Sequence, residues 1–221
     1  RILEKNSVRF QIKVGIPMGL QFSITAIGTM MVQSSLNILG SYAVAAFTAG
    51  SKIESIFTQA FVAIGTAMST YNAQNIGARK LDRVRKGFRS ADVIGCTYGV
   101  LVGFILFFVG KYFAYLFISD NAEVVIPMVE TYLQCVGMFM IPLYVVNSYR
   151  NGFQGMGYGL LPMLSGVAEL VGRGIMAIVA SNKKSYTMAC MASPFAWIVA
   201  TVLLIGLYFY VMKDMKRRLG L

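Results

Sequence analysis

The sequence predicts an all-α, polytopic membrane protein, with six transmembrane helices forming one lobe, and three observations carry that prediction. Of 221 residues 57% are apolar and only 13% are charged, against about 25% charged in a typical soluble domain. The charges are gathered so tightly that six long stretches hold none. Lys and Arg outnumber Asp and Glu by 20 to 9, and they collect on alternate connections between those stretches. So apolar a chain is not a disordered one. A net charge of +11 suits nucleic acid only when the basic residues share a folded soluble surface, so their placement decides the matter.

Between Lys13 and Lys52 no side chain is charged. A helix crosses a bilayer with about 20 mainly apolar residues, so this stretch makes one span near 14–39 and is too short for two spans and a loop. The uncharged run 55–78 predicts the second helix near 53–76, 93–110 predicts the third near 91–110, and 131–149 predicts the fourth near 124–148. The run 151–168 continues past Glu169 and Arg173 to Asn182, which predicts the fifth near 160–181. The last, 185–212, predicts the sixth near 186–212.

Basic flanks stay in the cytoplasm. Arg1, Lys5, Arg9 and Lys13 precede the first helix. Arg79, Lys80, Arg83, Arg85, Lys86 and Arg89 follow the second, Arg150 follows the fourth, and Lys213, Lys216, Arg217 and Arg218 form the tail. The alternate connections hold Lys52, Lys111, Lys183 and Lys184, with Arg173 inside a helix. A multi-pass protein of the cell membrane with both ends of this segment cytoplasmic is therefore expected, and no nucleic-acid partner. The start at Arg1, without an initiator Met or an apolar signal region, suggests a fragment of something longer. With no His and three scattered cysteines, Cys96, Cys135 and Cys190, neither a metal site nor a disulfide framework is expected. No nucleophile, base or metal constellation points to an enzyme.

Helices in lipid associate through small residues that let backbones approach. Gly95, Gly99, Gly103 and Gly110 predict such a face on the third helix, and Gly15 and Gly19 a shorter one on the first. Pro142 lies inside the fourth helix and removes a backbone hydrogen bond there. It predicts a kink, either fixed or changing as a cavity opens. Pro162 falls in the first turn of the fifth helix, where proline costs little.

Gln21, Thr25, Gly28, Val32 and Ser35 form one stripe on the first helix, with Gln33 and Asn37 beside it. Gln59 lies in the second helix, and Gln134, Met138, Tyr144 and Asn147 in the fourth. Uncharged polar stripes in spans serve two purposes equally, hydrogen bonding between helices and lining a water-filled path. Gln21, Thr25, Gln33, Gln59, Gln134, Met138, Tyr144 and Asn147 are the candidate substrate-cavity residues. Glu169 and Arg173, four apart, share a helix face. Each alone would cost about 2.5 to 3.5 kcal/mol at the bilayer centre, so a structural ion pair is favoured over a proton or ion relay. The aromatic segment 112–117, closed by a Ser119-Asp120 cap, suits the outer membrane interface.

Four short motifs punctuate the helices. They are Asn37-Ile38-Leu39-Gly40, Ala73-Gln74-Asn75-Ile76-Gly77-Ala78, Tyr149-Arg150-Asn151-Gly152-Phe153-Gln154-Gly155-Met156-Gly157 and Ser193-Pro194-Phe195-Ala196-Trp197. In order and spacing they resemble the multidrug and toxic compound extrusion (MATE) family, specifically its carboxy-terminal six-helix half. The resemblance covers nearly the whole chain. It implies a twelve-helix transporter whose two lobes rock around a central cavity, exporting organic, often cationic compounds by proton or sodium antiport, with no cofactor beyond the coupling ion. The implied partners are the missing amino-terminal lobe, the lipid bilayer and small organic substrates. The implied cavity wall is the first, second and fourth helices. Where some members carry an ion-binding acid, 21–25 and 135–139 hold neither Asp nor Glu, so the coupling acid is expected in the other lobe. Two alternatives stand beside the exporter: a lipid-linked oligosaccharide flippase of the same superfamily, which should place several Arg or Lys inside its helices, and a membrane assembly module without transport.

Overall fold

The computed structural model describes residues 5–116, 118 and 121–220. Within them the chain folds into α1 (Lys5–Leu39), α2 (Ser41–Gly77), α3 (Leu81–Phe108), α4 (Gly110–Ala114), α5 (Ala122–Gly137), α6 (Met140–Gly155), α7 (Leu160–Lys183), α8 (Tyr186–Cys190) and α9 (Ala192–Leu219), with no strand among the described residues. α1, α3, α7 and the stretch from α8 through α9 are each long and apolar enough to cross a bilayer, and α5 with α6 makes a fifth crossing bent by 55°. α2, at 37 residues, is about 55 Å long, enough to cross. Ser, Thr, Gln and Asn side chains are spread along its whole length. The expected Ser119-Asp120 cap lies outside the described residues.

Two prolines explain two breaks by one rule. A proline has no N–H for the carbonyl four residues back, and its ring presses on that carbonyl. Pro142 therefore interrupts the fourth span at Met138 and Phe139, between α5 and α6, and itself sits in the first turn of α6. The expected kink is real, but it falls one turn before the residue that causes it. Pro194 likewise ends α8 at Cys190, four residues earlier.

Several basic residues placed by sequence in connections are helical. α2 begins at Ser41, after Gly40 turns the chain at φ 102°, so Lys52 lies inside a helix. α3 begins at Leu81 because Lys and Arg are good helix formers and Leu81, Val84, Phe88 and Ala91 supply a buried stripe at helical spacing. The connection before it shrinks to 78–80, with Arg79 left-handed at φ 56°. Arg150 lies within α6.

α1 packs chiefly against α7, α2 against α6 and α5, and α9 against α7 and α6. The glycine face of α3 lies on the bent span: Gly95 against the Tyr144 ring, Gly99 against Ile141 and Gly103 against the Gly137 carbonyl, and Gly110, which begins α4, lies against Leu133. Gly15 and Gly19 have nothing within 4 Å, contrary to the expected packing face. α1 buries its opposite side instead, through Pro17, Gln21, Gly28, Val32 and Leu36. At the far end Asp214 of α9 accepts from the Tyr158 hydroxyl and from Arg218 at 2.6 Å, and from Arg217 at 2.7 Å. This ties the α6–α7 connection to the end of the chain.

Candidate functional site

Glu169 is the centre of a buried charge cluster larger than the expected pair. Arg173 reaches it at 3.0 Å from one turn along α7, and Arg150 reaches its other oxygen from α6. All three side chains are buried or nearly so. Arg150 Nε also donates to Ser165 Oγ at 3.0 Å. The amide of Gln21 lies 3.1 Å from that of Gln154 and, with its oxygen turned toward the cation, 3.2–3.3 Å from Arg150. One carboxylate thus holds α6 to α7, and Gln21 adds α1. Two charged residues on one helix face were legible in sequence. The third was not, because Arg150 stands at the end of an uncharged run and reads as a connection.

The α1 stripe has a definite use. Gln21, Gly28, Val32 and Ser35 are buried. Gly166 of α7 faces Gln21, and Leu170 and Arg173 face Gly28. Of the two readings of this stripe, the packing interface is the one found here, with Thr25 half-buried beside it. The remaining cavity candidates do not converge. Gln33 is exposed and bonded to Asn37 at 3.3 Å. Tyr144 is fully buried, and Asn147 donates to the Leu143 carbonyl at 3.0 Å. Gln134 is half-buried one turn before the bend. Met138, 60% exposed, lines a groove of about 380 Å³ with Gly103, Phe104 and Ile141, among apolar side chains.

Two acids unnoticed in the sequence sit inside helices. Glu54 of α2 accepts a hydrogen bond from the Tyr132 hydroxyl of α5. Asp92 of α3 accepts from Tyr144 at 3.1 Å and from Tyr149 at 2.9 Å, both of α6. With helices expected to begin at 53 and 91, each acid read as an N-terminal residue. Because α2 and α3 begin ten or more residues earlier, both become interior. The buried apolar spacing 81, 84, 88, 91 was the available signal for the second.

Exposed surfaces differ sharply between helices. α3 exposes Val93, Val100, Leu101 and Phe104, and α9 exposes Val202 and Phe209, as lipid contact requires. α2 exposes Ile56 and Val62, and beside them Thr48, Lys52, Ser55, Gln59, Thr66 and Thr70, which recur at three- and four-residue intervals with Ala63 in the gap and so make one polar row. Thr48, Ser55, Thr66 and Thr70 donate to carbonyls three or four residues back, at 2.7–3.3 Å. Their donors are satisfied within the helix, and their oxygens still present lone pairs outward. Gln59 belongs to this row.

Comparison with known proteins gives a consistent answer. The chain is 31% identical over 153 residues, 69% of its length and 34% of the relative's, to the probable multidrug resistance protein YpnP of Bacillus subtilis (strain 168). It is 23% identical over 220 residues, 96% of its length and 46% of the relative's, to the probable multidrug resistance protein YoeA of the same organism. The chain therefore spans between a third and a half of these relatives. Its fold matches a multidrug resistance MATE family transporter of the MOP superfamily in an outward-facing conformation, with a TM-score of 0.91 and 17% identity over 97% of this chain and 49% of that one. The MatE family model matches residues 17–179, and with that match over most of its length the chain belongs to the MatE family.

Proposed function

We propose that this chain is one six-helix lobe of a two-lobe secondary transporter that exports organic, often cationic compounds by proton or sodium antiport with alternating access. The observation that carries the reading is the exposed polar row of α2. A membrane helix gains nothing by presenting Thr, Gln and Lys to lipid, so a face this polar belongs on a water-filled path or against a second lobe. Both fit a chain covering about half of its structural neighbours. α1 supports the same reading with the exposed set Ser23, Gln33 and Asn37. The second lobe supplies the other wall, since rocking needs a partner, and the basic ends of the segment face the cytoplasm. Arg150 and Arg173 are both bonded to Glu169 and buried or nearly so, so neither is presented to the pyrophosphate of a lipid-linked sugar, which favours the exporter over the flippase.

The test is accessibility in the intact transporter, in a background with Cys96, Cys135 and Cys190 replaced by Ser. Single cysteines at Thr48, Gln59 and Thr66 are expected to react with a membrane-impermeant thiol reagent and to be protected by a transported fluorescent cation. Cysteines at Val100 and Phe104 are expected to stay unreactive. Equal labelling of both sets, or no protection, overturns the path assignment.

A further inference from the structure

Glu54 occupies a built site. Gly50, one turn earlier on α2, leaves the space that the Tyr132 ring fills, for a Cβ there would overlap that ring. Phe47 closes the other side, its ring edge-on to Tyr132 at 4.7 Å. Tyr132 is 2% exposed, so its hydroxyl has one direction to point, and Glu54 Oε2 lies there. The second oxygen takes no bond from any described residue. Glu54 is only half-buried, and Ser51 and Thr58, three before and four after it, share its face and adjoin the polar row.

The charged and titratable groups around this carboxyl come from three helices. Tyr132 of α5 binds it directly, and Tyr186 and Cys190 of α8 stand near that tyrosine. Arg173 of α7 makes no ion pair with Glu54, its contact being with Glu169 at 3.0 Å. Asp92 of α3 and Arg150 of α6 are engaged elsewhere. Arg173 gives Glu169 only one nitrogen. Its Nε and Nη1 are buried and have no hydrogen-bond partner.

Resting on the exporter reading above, we infer that Glu54 is a proton-binding site of this lobe and that Tyr132 is the positioning residue that passes its protonation state to α5. A proton from water adds to the oxygen that Tyr132 does not hold, converting carboxylate to neutral carboxyl. The Tyr132 hydroxyl donates in both states, but a bond to a carboxylate is about twice as strong as one to a neutral acceptor. Protonation therefore loosens α2 from α5 six residues before the bend at Met138. One carboxyl and one hydroxyl suit a proton. Ca2+ or Mg2+ takes six or more oxygens. The site differs from the expectation that the coupling acid stands in the other lobe.

The intact transporter in liposomes, followed by infrared difference spectroscopy between acidic and alkaline buffer, tests this without requiring transport. The expected spectrum has a carboxylic C=O band that Glu54→Gln removes, that Tyr132→Phe moves in frequency by loss of the hydrogen bond, and that Asp92→Asn leaves in place. A band that survives Glu54→Gln undiminished, or that Tyr132→Phe leaves unmoved, overturns the assignment. Should Glu54→Gln fail to fold, Glu54→Asp and Tyr132→Phe carry the same decision through a moved or unmoved band. In a second arm, Glu54→Gln loses accumulation driven by a pH gradient and retains exchange of substrate without one, whereas undiminished gradient-driven accumulation counts against the site. If the unaltered protein moves no substrate, the exporter reading fails while the infrared result still decides Glu54.

Discussion

Replacing Glu169 with Gln is expected to be the most damaging single change of charge in this lobe. One carboxylate is the shared counter-charge of two arginines, each bonded to a different oxygen. Its removal leaves Arg150 and Arg173 buried side by side, each short of a counter-charge. Breaking a buried pair by deleting one partner costs about 3–5 kcal/mol, and here the orphaned charges also repel. The folded yield and the melting temperature in detergent, read by fluorescence-detected gel filtration, should fall together. Exchanging all three residues for apolar or amide side chains should recover much of the loss, because well-packed neutral replacements of buried ionic clusters are often neutral or better. An unchanged melting temperature in Glu169→Gln would show that the three side chains do not act as one unit.

Gly155→Ala is expected to lose nearly as much for a steric reason. A Cβ at 155 would meet the Ser69 backbone well inside contact distance, and a backbone in mid-helix cannot rotate aside. The α2–α6 crossing depends on that closeness along its length. Gly65 faces the Asn147 carbonyl, and Asn72 donates to the Gly152 carbonyl at 3.2 Å. Forced overpacking costs about 1–3 kcal/mol and sometimes more. The control is on α1, where Gly15→Ala and Gly19→Ala meet nothing and should raise stability slightly, since Ala is the better helix former by about 0.5–1 kcal/mol. Equal melting temperatures for Gly155→Ala and the parent protein would show that the two helices are free to separate there.

These two positions also show how far sequence reasoning reached. Glu169 and Arg173 were legible because helical spacing puts them on one face. Arg150 was hidden, because membership of a helix end and pairing across helices leave no trace in local pattern. Gly155 stands in the punctuation between spans, yet its role is a backbone contact with Ser69, 86 positions away. Gly95, Gly99 and Gly103 of α3 are legible as a packing face because they repeat on one stripe. Gly15 and Gly19 repeat too, and their spacing is no different. Only the placement of α7 decided which side of α1 was covered.

The candidate site divides in the same way. Polar residues in spans were found, but their two uses could not be separated by type. Gln21 and Gln59 are both glutamines in membrane helices, and one is buried against Arg150 while the other stands exposed on α2. Glu54 and Asp92 are not legible as interior acids, because charge in a membrane sequence ordinarily marks a helix end, and an acid bound by tyrosines from another helix departs from that pattern.

By itself the sequence determined that the chain is helical and built for a bilayer, that its basic residues gather between and beyond its uncharged stretches, and that its punctuation resembles one transporter family. Those properties follow from composition and period, which are local and additive. Only the tertiary structure decided that the α1 stripe is an interface, that the polar row of α2 is the open face, and that Glu54 meets Tyr132 and Glu169 meets two arginines. A helix has a full circle of faces, and the chain's own pattern does not say which of them a neighbour will cover.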